Sequence, residues 1–237
     1  MKAKILNNIK SITIAVLVAL IFKSFIIQTF VVPSGSMYPN LQESDYLFAN
    51  KFHYGYTRYS LPGNIPLIPG RIFANKPTRG DIIVFRYPGD ERTYYVKRLI
   101  GMPGDTIQFL NGNIYINSIL LKQEKTGVAE FHGRKVEVYK ETLNDVDKSY
   151  AIYRVPQNQN NSINNTILYK VPEGHYFMVG DNRDFSKDSR FSDVGYVDDK
   201  YILGNPNLIF FSVENGSILK LWTWGNIRFN RLFTRPS

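Results

Sequence analysis

Tyr94-Tyr95-Val96-Lys97-Arg98-Leu99-Ile100 runs straight into Gly101-Met102-Pro103-Gly104-Asp105. The first seven residues are aromatic, β-branched or apolar apart from two cations, a composition that favours a strand. Met-Pro-Gly-Asp closes the strand with turn chemistry. A lysine inside such a strand is unusual, and on an alternating strand it reads first as an outward-facing side chain. Arg98 then points to the opposite face, so only one of the two cations can be solvated if the other face is covered.

Working outward from this stretch, the same kind of signal recurs. Gly80-Asp81 opens Ile82-Ile83-Val84-Phe85, a short continuous apolar run that fits a buried strand. Downstream, Ile107-Gln108-Phe109 and Asn113-Ile114-Tyr115-Ile116 flank Asn111-Gly112, the favoured two-residue hairpin turn. Val171 to Gly180 reads as a turn and then a strand, and Leu208 to Val213 as a last apolar strand. Upstream, Asp45 to Phe52 is strand-like, and Tyr54 to Pro69 is a loop rich in aromatics, Gly and Pro, facing either solvent or a membrane surface. Residues 120–170 are more polar, and Gln157 to Asn165 reads as a flexible asparagine-rich loop. Helical periodicity is scarce after residue 35, so the chain is predicted to be mainly β. The expected organisation is an anchor over 1–25, a catalytic β domain over 26–105 and 171–213, an inserted β subdomain over 106–170, and a basic, aromatic tail over 214–237.

The chain has 237 residues, a formal charge of +9 and no cysteine. Disulfides, thiolate nucleophiles and cysteine-metal sites are therefore excluded. The positive charge suits nucleic acid or an anionic membrane surface. With no helix-turn-helix, zinc-finger or RNA-binding signature present, the membrane is the better reading. Lys2, Lys4 and Lys10 precede an apolar run from Ile12 to Phe22 that Lys23 interrupts. A span from near Leu6 to near Phe25 approaches the roughly 20 residues a bilayer requires, with Lys23 snorkelling at the far interface. The bulky residues after Lys23 do not make a small-residue cleavage site, so the segment reads as one uncleaved transmembrane helix. Basic residues before the span place the N-terminus in the cytoplasm. Gln28 to Val32 then suits a strand leaving the membrane surface. In the tail, Trp222, Trp224, Arg228, Phe229, Arg231, Phe233 and Arg235 interleave aromatics and cations, as membrane interfaces do.

Val32-Pro33-Ser34-Gly35-Ser36-Met37-Tyr38-Pro39-Asn40-Leu41 holds two serines in a loop stiffened by prolines. Such a loop can present a serine hydroxyl in a fixed direction, and it can equally be an ordinary turn. Elsewhere, His53, His132 and His175 show no metal-ligand spacing and no triad context, and no G-x-S-x-G elbow occurs. What is left for nucleophilic chemistry is Ser36 with a lysine base. A lysine acts as a base only when neutral, which near pH 8 requires a fall of about 2.4 units, on the order of 3 kcal/mol. Burial among Tyr94, Tyr95, Val96, Leu99 and Ile100 can supply that for Lys97.

Four segments in order resemble the bacterial type I signal peptidases, the S26 serine/lysine proteases. They are Pro33 to Pro39, Gly80 to Phe85, Tyr95 to Asp105, and Gly180-Asp181-Asn182-Arg183-Asp184-Phe185-Ser186-Lys187-Asp188-Ser189-Arg190. The resemblance implies a body of coiled antiparallel sheets, Ser36 as nucleophile and Lys97 as general base. It implies that Ser34 donates to the oxyanion hole and that Ser186 hydrogen-bonds and orients the Lys97 amine. Asp181, Arg183, Asp188 and Arg190 become a structural network behind the lysine, and the residues of that charged loop can also pair with one another. Phe30, Val32, Met37, Leu41, Val84, Tyr95 and Val96 are implied to line shallow apolar pockets for small residues at −1 and −3 of a preprotein bound as an added strand. Phe185 stands where the family usually has Asn. No cofactor, metal or nucleic acid is implied. The implied partners are preproteins and the lipid bilayer. The implied location is the bacterial plasma membrane, single-pass, with the catalytic domain on the outer, periplasmic side. A self-cleaving repressor, a mitochondrial inner-membrane peptidase and an anchored peptide-binding β domain are the alternatives.

Overall fold

Runs of β-branched and aromatic residues pair antiparallel across the whole body of the chain. The structure, a computed structural model, describes residues 8–16, 27–50, 52–60, 68–156 and 162–236. Strands β1 (Ile27–Val31), β2 (Asp45–Asn50), β3 (Ile82–Arg86) and β4 (Tyr94–Gly101) come first. The middle of the chain contributes β5 (Thr106–Leu110), β6 (Asn113–Ile116), β7 (Ile119–Leu120), β8 (Lys122–Phe131), β9 (Arg134–Leu143), β10 (Lys148–Arg154) and β11 (Tyr169–Lys170). Strands β12 (His175–Val179), β13 (Val197–Asp198) and β14 (Ile202–Ser212) complete the set.

The main sheet has the order β1-β2-β14-β3-β4-β12-β13. It curls because β14 pairs first with β3 and then with β2, with register shifts along the way. Pro206, which cannot donate to a ladder, sits at one of these shifts. The strand thus begins well before Leu208, where the apolar run alone would start it. Strand β3 is buried along its whole length.

Residues 106–170 build two smaller sheets, β11-β5-β6-β7 and β10-β9-β8. Asn111 and Gly112 turn β5 into β6 with both residues at positive φ, 51° and 75°. These sheets share a core with the main sheet: Ile107, Phe109, Leu143 and Ile152 pack in one cluster with Ile100, Phe177 and Val179. The middle region is therefore fused to the strand that carries Lys97.

Two expectations for the surface are corrected. Tyr54 and Tyr59, read as a solvent or membrane-facing loop, are 1% and 3% exposed and belong to the protein interior. In the tail, Trp222, Phe229 and Phe233 are exposed. Arg231, however, turns inward to grip buried Asp45 at 2.6 Å, and Arg228 donates to the Glu43 carbonyl at 2.9 Å. A buried carboxylate demands such partners, so these two cations serve the fold. Of the anchor expected over 1–25, residues 1–7 and 17–25 lie outside the described residues. A helix covers 8–16. Among the described residues no helix is long and apolar enough to cross a membrane.

Candidate active site

The serine loop is placed by its own apolar side chains. Val32, Met37 and Leu41 pack into one cluster with Leu47, Ile82 and Ile209, and Met37 and Leu41 have no exposed surface. This anchors a 3-10 turn over Gly35–Met37 at the end of β1. Asn182 fixes the turn from the side: its N–H donates to the Ser36 carbonyl at 3.1 Å and its side-chain amide to the Gly35 carbonyl at 3.0 Å. Gly35 is required by close approach, since a Cβ there would fall 2.5 Å from Phe131 of the β8–β9 hairpin.

Strand β4 carries Lys97 to this turn. Its Nζ lies 2.5 Å from Ser36 Oγ and donates to the Val96 carbonyl at 3.0 Å. Lys97 is 4% exposed and Ser36 8%. Burial pushes the lysine down to about 8, while Asp188 and Asp181 pull it back up and Arg190 pushes it down. Register puts Lys97 opposite Ile83 and Arg98 opposite Ile82, so the two cations sit on opposite faces as alternation requires. Both faces are covered: Arg98 is 1% exposed, so neither cation is solvated.

What makes this possible is a closed set of ion pairs. Arg98 grips Asp181 with two bonds of 2.8 Å. Arg190 grips Asp188 in the same bidentate way, also at 2.8 Å twice. Arg183 reaches out of its loop to Glu141 on β9, at 2.8 Å for one of two bonds. Burial alone would raise the Glu141 carboxyl, but Arg183, Tyr150 and Gln123 outweigh it and hold it below its usual range. Asp188 is likewise held low by Arg190 against its burial. Three guanidinium groups and three carboxylates thus satisfy one another. Among the described residues no carboxylate is left to form an ion pair with Lys97. This surrounding shifts the amine toward its neutral form relative to water, and a neutral amine can take a proton from the Ser36 hydroxyl.

Within the charged loop the ion pair is Asp188–Arg190; Asp181 and Arg183 recruit ionic partners from β4 and β9. Asn40, Arg98, Glu141, Tyr150 and Asn182 belong to this machinery and were not assigned by sequence. The Asn40 amide donates to Asp181 at 2.6 Å, and the Tyr150 hydroxyl to Glu141 at 2.7 Å. Asn182 and Arg98 lay inside recognised segments. Glu141 carried no signal, because its burial arises only when β9 folds against the loop.

Ser34 is solvent-exposed, with its hydroxyl 3.5 Å from Ser36 Oγ. The expectation for Ser186 is corrected. Its Oγ is buried without a hydrogen bond to the Lys97 amine. It rests instead over Gly180, where a Cβ would fall 2.1 Å from that oxygen and 2.6 Å from the Ser36 carbonyl.

A cleft of about 370 Å³ opens onto Ser36 and Lys97. Val32, Tyr95 and Val96 line it, joined by Pro33, Tyr94 and Phe185. Met37, Leu41 and Val84 do not, since all three are buried in the core behind it. Phe30 does not line it either; it packs against the core with its ring edge-on to Tyr94 at 5.2 Å.

A signal peptidase I of Rickettsia bellii (strain OSU 85-389) is 42% identical over 242 residues, covering 94% of this chain and 83% of the relative. A signal peptidase I of Rickettsia typhi (strain ATCC VR-144 / Wilmington) is 40% identical over 243 residues, covering 94% and 90%. A crystal structure of a signal peptidase I from Enterococcus faecalis V583 is 26% identical, covering 55% of this chain and 97% of its own, at a TM-score of 0.33. These sequence relatives define a serine endopeptidase. The chain belongs to the family described as signal peptidase, peptidase S26, which matches residues 5–211.

Proposed function

We propose that this peptidase removes signal peptides from exported preproteins with Ser36 as nucleophile and Lys97 as general base. The observation that carries the reading is the 2.5 Å approach of Lys97 Nζ to Ser36 Oγ beside a charge network already closed on itself. Neutral Lys97 takes the Ser36 proton as Oγ attacks the scissile carbonyl. The Ser36 backbone N–H and the Ser34 hydroxyl stabilise the oxyanion. Lys97 passes its proton to the leaving amine, an acyl-enzyme forms, and a water activated by Lys97 hydrolyses it. Ser186 acts as a packing residue over Gly180, beside the Ser36 carbonyl.

The preprotein binds extended, as an added strand in the cleft beside β1, which stands at the sheet edge. Shallow apolar walls at Val32, Tyr95 and Val96 suit small residues at −1 and −3. The basic, apolar N-terminal segment anchors the enzyme in the bacterial plasma membrane with the catalytic body outside, and the exposed Trp222, Phe229 and Phe233 face lipid. The positive charge serves that surface and not nucleic acid.

The test is incubation of a preprotein bearing an Ala-x-Ala site with the full chain in detergent, with the product mass read by spectrometry. Cleavage after the second alanine, lost in Ser36→Ala, is expected. Cleavage that survives in Ser36→Ala, or that a chelator abolishes, overturns the proposed chemistry.

A further inference from the structure

Phe185 sits on the cleft wall one residue before Ser186, and it is half-buried. The rear of its ring packs on Phe131 at 5.1 Å, with the Arg134 guanidinium 5.6 Å from the ring. Phe131 is itself fixed. It is 8% exposed, meets Tyr38 edge-on at 5.1 Å and fills the space over Gly35. Both Phe131 and Arg134 come from the tip of the β8–β9 hairpin, within the middle region whose role the family resemblance leaves open. A brace on the rear of the ring fixes which part of it can face the cleft.

The geometry points to Phe185 as a specificity-determining residue. It forms, with the hairpin tip behind it, an apolar subsite for a preprotein side chain flanking the scissile bond. This rests on the proposed reading of the cleft as the preprotein site. The occupant follows from the wall. A polar side chain brought against a braced phenyl ring loses water without gaining a hydrogen bond. An aliphatic or aromatic side chain there buries apolar area on both partners. The subsite shares the cleft with Val32, Tyr95 and Val96, and its own wall is built by the 180–190 loop with the hairpin tip behind it.

The test uses the full chain in detergent with preprotein peptides that keep alanine at −1 and −3 and carry leucine or serine at −2, +1 or +2. At one of these positions the wild type is expected to favour leucine about tenfold in kcat/KM, the scale of one apolar contact. Phe185→Leu keeps the preference, and Phe185→Asn brings the ratio to near one. The absence of a preference at all three positions overturns the subsite, as does an equal preference in Phe185→Asn. The same ratios are read as Kd for labelled peptides on Ser36→Ala protein. If the wild type cleaves no peptide, the proposed function fails while the binding ratios still decide whether Phe185 selects apolar side chains.

Discussion

Arg98 and Asp181 form a bidentate ion pair, two bonds of 2.8 Å, with side chains 1% and 0% exposed. Arg98 follows Lys97 on the same strand, on the opposite face. One face of β4 therefore carries a paired, permanently charged cation, and the other an amine that burial drives toward neutrality. The Asn40 amide adds a bond to Asp181 and ties this pair to the serine loop. Removing one partner leaves a buried charge uncompensated. Asp181→Ala is expected to lower unfolding free energy by about 3–5 kcal/mol. Urea denaturation measures this, and the double variant Arg98→Met with Asp181→Leu should recover most of the loss.

The amine itself is a stability liability. Its pKa falls from the ordinary 10.5 to about 8, a difference of roughly 3 kcal/mol at about 1.36 kcal/mol per unit. Between about pH 8 and 10.5 the unfolded chain holds a proton on Lys97 that the folded chain has shed, so stability rises with pH across that window. Below pH 8 both states hold it and the full penalty remains. Lys97→Met is thus expected to be more stable than wild type at pH 7, with the gap closing near pH 10.5. Thermal unfolding at both pH values checks this.

Catalysis should follow the same titration in the useful direction. If Lys97 is the base, as proposed, it works only without its proton, so kcat/KM is expected to rise from pH 6 toward pH 9 with a midpoint near the Lys97 value of about 8. A flat profile across that range would show that proton transfer to Lys97 does not limit the reaction.

Gly180→Ala probes the spacing behind the site. A methyl group there meets Ser186 Oγ and the Ser36 carbonyl, so the serine turn must shift. A displacement of about 1 Å at a reacting group costs on the order of 100-fold in rate. Single-turnover cleavage should show that fall with the unfolding midpoint changed far less than activity.

The strands were legible because their signals are local. Ile82–Arg86 is a continuous apolar run, and Asn111-Gly112 announces its hairpin within two residues. The segments that hold Ser36 and Lys97 were legible through motif order, and the fold brings the two side chains to 2.5 Å. What could not be read was tertiary. Met37, Leu41 and Val84 look like pocket residues until packing shows that their neighbours fill the space around them. Glu141 sits on a polar strand, and nothing near it in sequence indicates that it is buried against Arg183. Ser186 was expected on the lysine, but its position over Gly180 depends on a backbone approach that no pattern encodes. Arg228 and Arg231 match an interfacial pattern in composition, and only the burial of Asp45 explains why they turn inward.

The proposed role of Lys97 as the base that activates Ser36 meets its most direct test in one comparison. Wild type and Lys97→Ala are incubated with an Ala-x-Ala preprotein in detergent, after circular dichroism has shown both folded. Site-specific cleavage by the wild type and none by Lys97→Ala is the predicted result. Equal cleavage by both proteins would contradict it and place the base elsewhere.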